Sequence, residues 1–245
     1  MWELKEAFFA QLSLIQKQME NSIFKIEKKG LTGTGFICEI PNNNQITSAL
    51  VTCNHVLGSD DISIGKMITW IFYNKEVKNI KIYKNRAVFT SIKYDITIIE
   101  LKPNEFIFDN LLKLDYDIFE KINLNDIYQN EIIYAISFSY GLKPIYSFGV
   151  IKNINNNNSI IEYFCTTEYG SSGRPIIKLE NGRIIGIHLG CNATNEINVW
   201  LILKSPINEF NKISQTKSKK EINEIILKLK TGNELNFGYL LGEDK

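Results

Sequence analysis

Long apolar runs are missing from this 245-residue sequence. Nothing in it approaches the ~20 uninterrupted apolar residues that cross a bilayer as a helix, so no such span and no membrane partner is expected. Residues 1–30 lack a basic start and an unbroken apolar stretch, and Glu3, Lys5, Glu6 and Lys17 interrupt them. They do not read as an export leader. Charge of one sign is missing as well: 28 Lys and Arg stand against 27 Asp and Glu, a formal net charge of +1. Bulk electrostatics therefore gives no reason to expect nucleic acid as a partner. Cysteine is sparse, with Cys38, Cys53, Cys165 and Cys191 and no CxxC pair. The even number permits two disulfides, but the low density and the lack of an export signal favour free thiols and a cytoplasmic location. Cys53 and His55 lie two apart, which alone is weak evidence for a metal site. No metal and no cofactor is expected.

What is present is a core-forming composition. Hydrophobic residues make up 44% and aromatic residues 11%, enough for one large or two small all-β domains. In residues 1–20, Leu4, Phe8, Leu12, Ile15 and Met19 recur three or four apart, which predicts one amphipathic helix. From residue 21 the pattern changes to short β-type runs. Strands are expected at 23–26, 36–40, 46–53, 67–73, 77–83, 87–92, 96–101, 131–138, 147–154, 160–165, 175–179, 183–188 and 199–203. Pro41-Asn42-Asn43-Asn44 reads as a turn and the asparagine run 155–158 as a hairpin loop. Many short strands with frequent turns point to an all-β sandwich or barrel rather than a βαβ fold. Helix returns only late. Ser205-Pro206 opens a short helix to residue 213, with serine as cap and proline in the first turn, and 219–230 forms another.

Histidine is the scarcest chemistry-bearing residue: only His55 and His188 occur. A histidine general base must be one of them. His55 ends the apolar run Leu50-Val51-Thr52-Cys53-Asn54-His55, and Asp95 stands just before Ile96-Thr97-Ile98-Ile99. Ser172 sits in Gly170-Ser171-Ser172-Gly173, between two strand candidates. Each alone has a bland reading, as a structural histidine, a turn aspartate or a glycine turn. Together they have a chemical one. A serine hydroxyl is a weak nucleophile until an imidazole takes its proton. The imidazole needs a carboxylate to fix its tautomer, and the order His, Asp, Ser is one of the convergent orders of such a triad. Glycine before the serine permits the sharp turn that points backbone N–H groups at a developing oxyanion.

Those residues resemble the trypsin-like peptidase family. Thr52-Cys53-Asn54-His55-Val56-Leu57 is similar to its Thr-Asn/Ala-x-His-Val-Ile/Leu motif, and Gly33-Thr34-Gly35-Phe36-Ile37 to the Gly-Ser-Gly-Phe-Ile strand before it. Asp95-Ile96-Thr97-Ile98-Ile99 is similar to Asp-Ile-Ala-Val-Leu. Gly170-Ser171-Ser172-Gly173-Arg174-Pro175 resembles Gly-Asn/Ser-Ser-Gly-Gly/Ser-Pro. Gly186-Ile187-His188-Leu189-Gly190 resembles the Gly-Ile-His-x-Gly strand of the glutamyl endopeptidase branch; the other motifs are closest to the HtrA group. The match spans roughly residues 20–213. It implies two six-stranded antiparallel β-barrels of the chymotrypsin fold, over 21–110 and 111–204; the helices read at 1–20 and in the tail 205–245 lie outside the resemblance. It also implies a cleft between the barrels, a His55–Asp95–Ser172 triad, an oxyanion hole from the N–H groups of Gly170 and Ser172, and a polypeptide substrate.

The resemblance also speaks to specificity. In the glutamyl branch, a histidine matching His188 and a threonine matching Thr167 line the S1 pocket, and an imidazole with a hydroxyl suits a substrate carboxylate. Thr166 stands where a Lys/Arg-specific member would carry aspartate. An acidic P1 residue is therefore weighed against a small or mixed preference. Arg174 replaces the family's small residue, and its side chain either crowds the cleft or swings outward. That leaves a pseudoprotease binding module as the alternative. A regulatory protein partner, docking on the terminal helices, is a further one.

Overall fold

The computed structural model describes all residues except 1, 29, 43–44, 104, 106–110, 122, 142, 156–159, 193–196 and 231–245. The expected asparagine loop at 155–158 and the last fifteen residues thus lie largely outside the described residues. In chain order the elements are α1 (Trp2–Asn21), β1 (Ile23–Lys28), β2 (Leu31–Asn42), β3 (Gln45–Thr52), β4 (Met67–Phe72), β5 (Val77–Lys81), β6 (Val88–Ser91), β7 (Ile96–Glu100) and β8 (Leu112–Lys113). Then come α2 (Asp117–Glu120), α3 (Asn125–Tyr128), β9 (Ile132–Ser137), β10 (Ile145–Asn155), β11 (Ile160–Phe164), β12 (Pro175–Lys178), β13 (Ile184–Asn192), β14 (Ile197–Ile202) and α4 (Lys204–Lys230).

The protein is mostly β, as expected. The second half closes as a six-stranded antiparallel barrel, β10-β11-β14-β13-β12-β9. The first half differs in detail from a six-stranded barrel. It is an eight-stranded curled sheet, β5-β4-β1-β2-β3-β7-β6, with β8 added in parallel to β2. Strand β8 is added because Cys38 and Glu39, midway along the long β2, pair with Leu112 and Lys113.

Side-chain alternation explains the sheet's two faces. In β4, Ile68, Trp70 and Phe72 are buried while Met67 is exposed, as period-2 patterning requires. Phe24 packs at 5.6 Å from Trp70 and 5.8 Å from Phe72 to fill the curl of the first sheet. A second and larger cluster, including Phe36, Val51, Tyr134, Ile176, Ile187 and Trp200, runs from the first sheet into the closed barrel. The two halves thereby share one core, and the cleft lies along their seam.

The terminal helices pack on these halves. Ile15 of α1 is buried, and Gln18 Nε2 donates to Gly182 O at 2.9 Å while Gln18 Oε1 accepts from Tyr134 Oη at 2.5 Å. The two helices expected after residue 204 are one, because Pro206 sits in the first turn of α4, where a backbone N–H has no helical partner to lose. Phe210 of α4 is buried, and Asn211 Nδ2 donates to Pro41 O at 2.8 Å. Among the described residues no helix is long and apolar enough to cross a membrane.

Gly186 in β13 tests the packing directly. A Cβ there would lie 1.9 Å from the Trp200 ring and 2.5 Å from Leu201 O, whereas one at Gly190 would meet nothing within 4 Å. Gly186→Ala should lower unfolding free energy in urea by about 1–3 kcal/mol or more, and Gly190→Ala should leave it nearly unchanged.

Candidate active site

The candidate site is assembled on both sides of the seam. His55 follows β3 at its C-terminal end, and Asp95 immediately precedes β7, which pairs with β3. Register then brings the two side chains together. Asp95 Oδ2 lies 2.7 Å from His55 Nδ1, and Asp95 Oδ1 accepts the His55 backbone N–H at 3.0 Å. The carboxylate so holds both the ring and the backbone of one residue. Asp95 adopts a left-handed backbone conformation, φ 48°, at the end of a turn closed by its N–H to Ile92 O at 3.2 Å. That conformation is uncommon for a non-glycine residue and persists where neighbours over-determine it.

A short relay braces the pair from behind. Asn54 Nδ2 donates to Thr90 Oγ1 at 2.6 Å, Thr90 Oγ1 lies 2.8 Å from Thr97 Oγ1, and Thr97 Oγ1 donates to Leu57 O at 2.6 Å. Because the Thr97 proton goes to Leu57, Thr90 is the donor to Thr97. These three residues tie the His55 loop to the Asp95 strand. Sequence reasoning missed them, although Asn54 and Thr97 lie within the two motifs.

Ser172 is half-buried on the opposite wall, in the turn between β11 and β12. Thr34 of β2 grips this turn from the first sheet. Its N–H donates to Ser172 O at 2.9 Å, its hydroxyl donates to Gly170 O at 2.8 Å, and that hydroxyl accepts the Phe138 N–H at 3.0 Å. Thr34 O in turn accepts from Thr52 Oγ1 at 2.8 Å, just ahead of His55. From the other side, Gly173 N–H donates to His188 O at 2.9 Å and His188 N–H to Arg174 O at 3.0 Å. Gly173 has φ +87°, and a Cβ on it would stand 2.1 Å from Thr34 O, so glycine is required for this approach.

Residues 168–171 form a turn closed by Ser171 N–H to Glu168 O at 3.1 Å, with Gly170 at φ +90° in its third position. That is the signature of a type II turn. The Tyr169 carbonyl accepts the Tyr140 N–H at 2.6 Å. Since C=O and N–H of a trans peptide point oppositely, the Gly170 N–H is turned away from Tyr140. Neither it nor the Ser172 N–H donates to another group among the described residues. His55, Ser172, Gly170, Thr167, His188 and Gly190 all line one cavity of about 540 Å³. No hydrogen bond joins Ser172 Oγ to the His55 ring among the described residues, a contact that in empty sites often closes only with substrate.

The second histidine is of another kind. His188 is buried, and its Nδ1 lies 3.1 Å from Tyr163 Oη. Burial, the nearby Arg174 charge and His55 hold its pKa well below 6.5, opposed by a hydrogen bond with the Val199 backbone. A β-bulge between His188 and Gly190 shifts the register against β14. Thr167 reaches the same cavity, but its hydroxyl proton goes to Asn198 Oδ1 at 2.5 Å. The Asn198 amide is oriented by its donation to Cys165 O at 2.5 Å. Arg174 neither crowds the cleft nor swings out. It is 1% exposed, folded under the nucleophile turn, with donations to Tyr163 Oη and Thr166 O at 3.0 Å.

Cys53, His55 and Asp95 also have potential ligand atoms within 4.8 Å of one another. They suit a metal poorly. Cys53 is buried, burial and the Asp95 charge push its thiol pKa well up, and its Sγ donates to His188 O at 3.3 Å; a metal needs the thiolate. Cys38, Cys53 and Cys165 are free, and the side chain of Cys191 lies outside the described residues.

Two predictions arise from this geometry. Thr34→Val keeps the shape but strands Gly170 O and the Phe138 N–H; it should cost about 2–4 kcal/mol in denaturant unfolding, and Thr34→Ser should restore most of it. His188 gives a pH dependence. Below pH 6.5 the unfolded chain takes up a proton at residue 188 that the folded chain refuses, so stability falls as pH drops through that range. Unfolding free energy measured at pH 7 and pH 5 should differ less in His188→Gln than in the wild type.

Known proteins agree with this architecture. A search of curated proteins returns no match. Among solved structures, the serine endoprotease from Yersinia pestis is similar with a TM-score of 0.61 at 12% identity, over 84% of this chain and 66% of that one. The Rv3671c protease in an inactive form has a TM-score of 0.55 at 18% identity, over 80% and 90%. Its serine-to-alanine mutant from M. tuberculosis gives 0.54 at 19%, over 81% and 89%. These likenesses establish a shared fold. The family profile of the trypsin-like peptidase domain matches residues 33–187, from the strand of Thr34 to that of His188, and the chain belongs to that family.

Proposed function

We propose that the chain is a serine endopeptidase that hydrolyses peptide bonds through an acyl-enzyme intermediate. The observation that carries this reading is the double grip of Asp95 on His55, with Ser172 on the facing wall of the same cavity. Asp95 accepts a hydrogen bond from the His55 Nδ1–H, which fixes the tautomer that leaves Nε2 as the free base. Nε2 accepts the Ser172 proton as Oγ attacks the scissile carbonyl carbon. The carbonyl π electrons move to oxygen, and the N–H groups of Gly170 and Ser172 stabilise the resulting oxyanion. Collapse expels the amine, which receives the proton from His55. Water then attacks the acyl-enzyme with the same base and frees Ser172.

The acidic P1 preference belongs to the same proposal. His188 and Thr167 line the cavity, and Gly190, two residues after His188 on β13, leaves room for a side chain. The Thr167 proton is engaged by Asn198 and the His188 ring by the Val199 backbone; of the two, the imidazole, polarised from its Nδ1 side by Tyr163, is the stronger candidate donor to a substrate carboxylate. A binding-only module drew its support from an Arg174 side chain in the cleft, and the buried position of Arg174 withdraws that support.

A fluorophosphonate probe should label the wild type and not Ser172→Ala. On a peptide substrate, Asp95→Asn should lower kcat by about 10⁴-fold and His55→Ala by about 10⁶-fold. In a panel of P1-varied peptides, cleavage after Glu should exceed cleavage after Leu; equal rates would remove the acidic preference while leaving the peptidase reading intact.

A further inference from the structure

Arg174 is a full positive charge that the fold buries with no counter-charge among the described residues. It is 1% exposed, and among the described residues no carboxylate lies within ion-pair distance of it. Its neighbours are neutral: Tyr163 Oη at 3.0 Å, Thr166 O at 3.0 Å and Ser147 Oγ at 3.3 Å, while its Nε has no partner. Buried charges are normally paired, because desolvating a guanidinium costs several kcal/mol that neutral hydrogen bonds only partly return. By contrast, the buried Arg86 of the first sheet is paired with Glu105. The chain therefore holds an unbalanced cation directly behind the wall of the substrate cavity.

The hydrogen bonds leading away from that cation share one direction. Arg174 Nη2 donates to Tyr163 Oη, so the single phenolic proton must go elsewhere. The acceptor within reach is His188 Nδ1 at 3.1 Å. Burial raises the Tyr163 pKa, so the phenol keeps its proton to give. With Nδ1 accepting, His188 is the neutral tautomer with its proton on Nε2. His188 lines the cavity. Donor follows donor from the guanidinium to the cavity wall, and each link polarises the next in the low-dielectric interior.

We propose that Arg174 is the buried counter-charge for an acidic P1 side chain, acting on it through Tyr163 and His188. This rests on the acidic P1 reading of the cavity and assigns the source of its charge selectivity to a positioning residue outside the cavity lining. The P1 carboxylate shares the polarised His188 N–H with the Val199 backbone, and it meets the field of a cation that has no counter-charge among the described residues. A neutral isostere meets the same shape without the charge term.

The test compares peptides identical except for Glu or Gln at P1, with wild type, Arg174→Met, Arg174→Lys and Tyr163→Phe. Wild type should favour Glu. Arg174→Met should lower the Glu:Gln ratio of kcat/KM at least ~10-fold, about 1.4 kcal/mol, mainly through KM for the Glu peptide. Arg174→Lys should recover part of it, and Tyr163→Phe should lower the ratio in the same sense. With only two histidines to resolve, NMR titration should show the His188 pKa rising in Arg174→Met. If Arg174→Met does not fold, Tyr163→Phe decides by the same ratio. An unchanged ratio in the variants of a Glu-preferring wild type would overturn the role of Arg174 and leave the acidic preference standing. A probe-labelled wild type that treats Glu and Gln alike would overturn both. A wild type that takes no fluorophosphonate label would instead strike the peptidase reading, and the proposal with it.

Discussion

The site depends on the grip of Thr34. One residue in the first sheet bonds Ser172 O, Gly170 O, the Phe138 N–H and the Thr52 hydroxyl. The first two contacts fix the turn that carries Ser172, the third ties Thr34 to the chain just after β9, and the fourth fixes the strand that leads to His55. Catalytic groups on two separate sheets tolerate little relative motion, since displacements near 1 Å can cost two orders of magnitude in rate. Thr34 is fully buried, so these hydrogen bonds are shielded from water and leaving any of them unmade is costly. The flanking glycines follow from the same crowding: a Cβ on Gly33 would strike Val56 and one on Gly35 the Phe24 ring.

The two histidines show how environment divides one chemistry into two roles. His55 is half-exposed, and its carboxylate partner orients it. His188 is buried beside a cation that disfavours its protonation. The first suits proton shuttling, and the second suits a fixed, neutral donor. His188 O and N–H hold the two residues that follow Ser172, Gly173 and Arg174. The candidate nucleophile and the buried histidine are thus mechanically joined at the start of β12.

Much of this was legible in the sequence. Strand alternation, the scarcity of histidine and the ordered motifs located both sheets and the candidate triad residues. What escaped were features set by tertiary contact. The curled sheet gains β8 through a parallel pairing with β2 that no local pattern marks. Helix α4 runs on because the pattern read as a break at residue 213 continues one helix. Arg174 was expected in the cleft or outside it; it turned inward because Tyr163, Thr166 and Ser147, remote in sequence, form a polar recess there. Thr167 was matched as a donor, but its proton was already claimed by Asn198, thirty-one residues on.

The central claim is that Ser172 Oγ carries the acyl group. Rapid mixing with an activated ester of a Glu-terminated peptide, quenched in acid and followed by mass spectrometry, tests it directly. The account predicts a product burst stoichiometric with enzyme and an acyl mass on the fragment containing Ser172. No burst, or an acyl group carried by another residue, would contradict it.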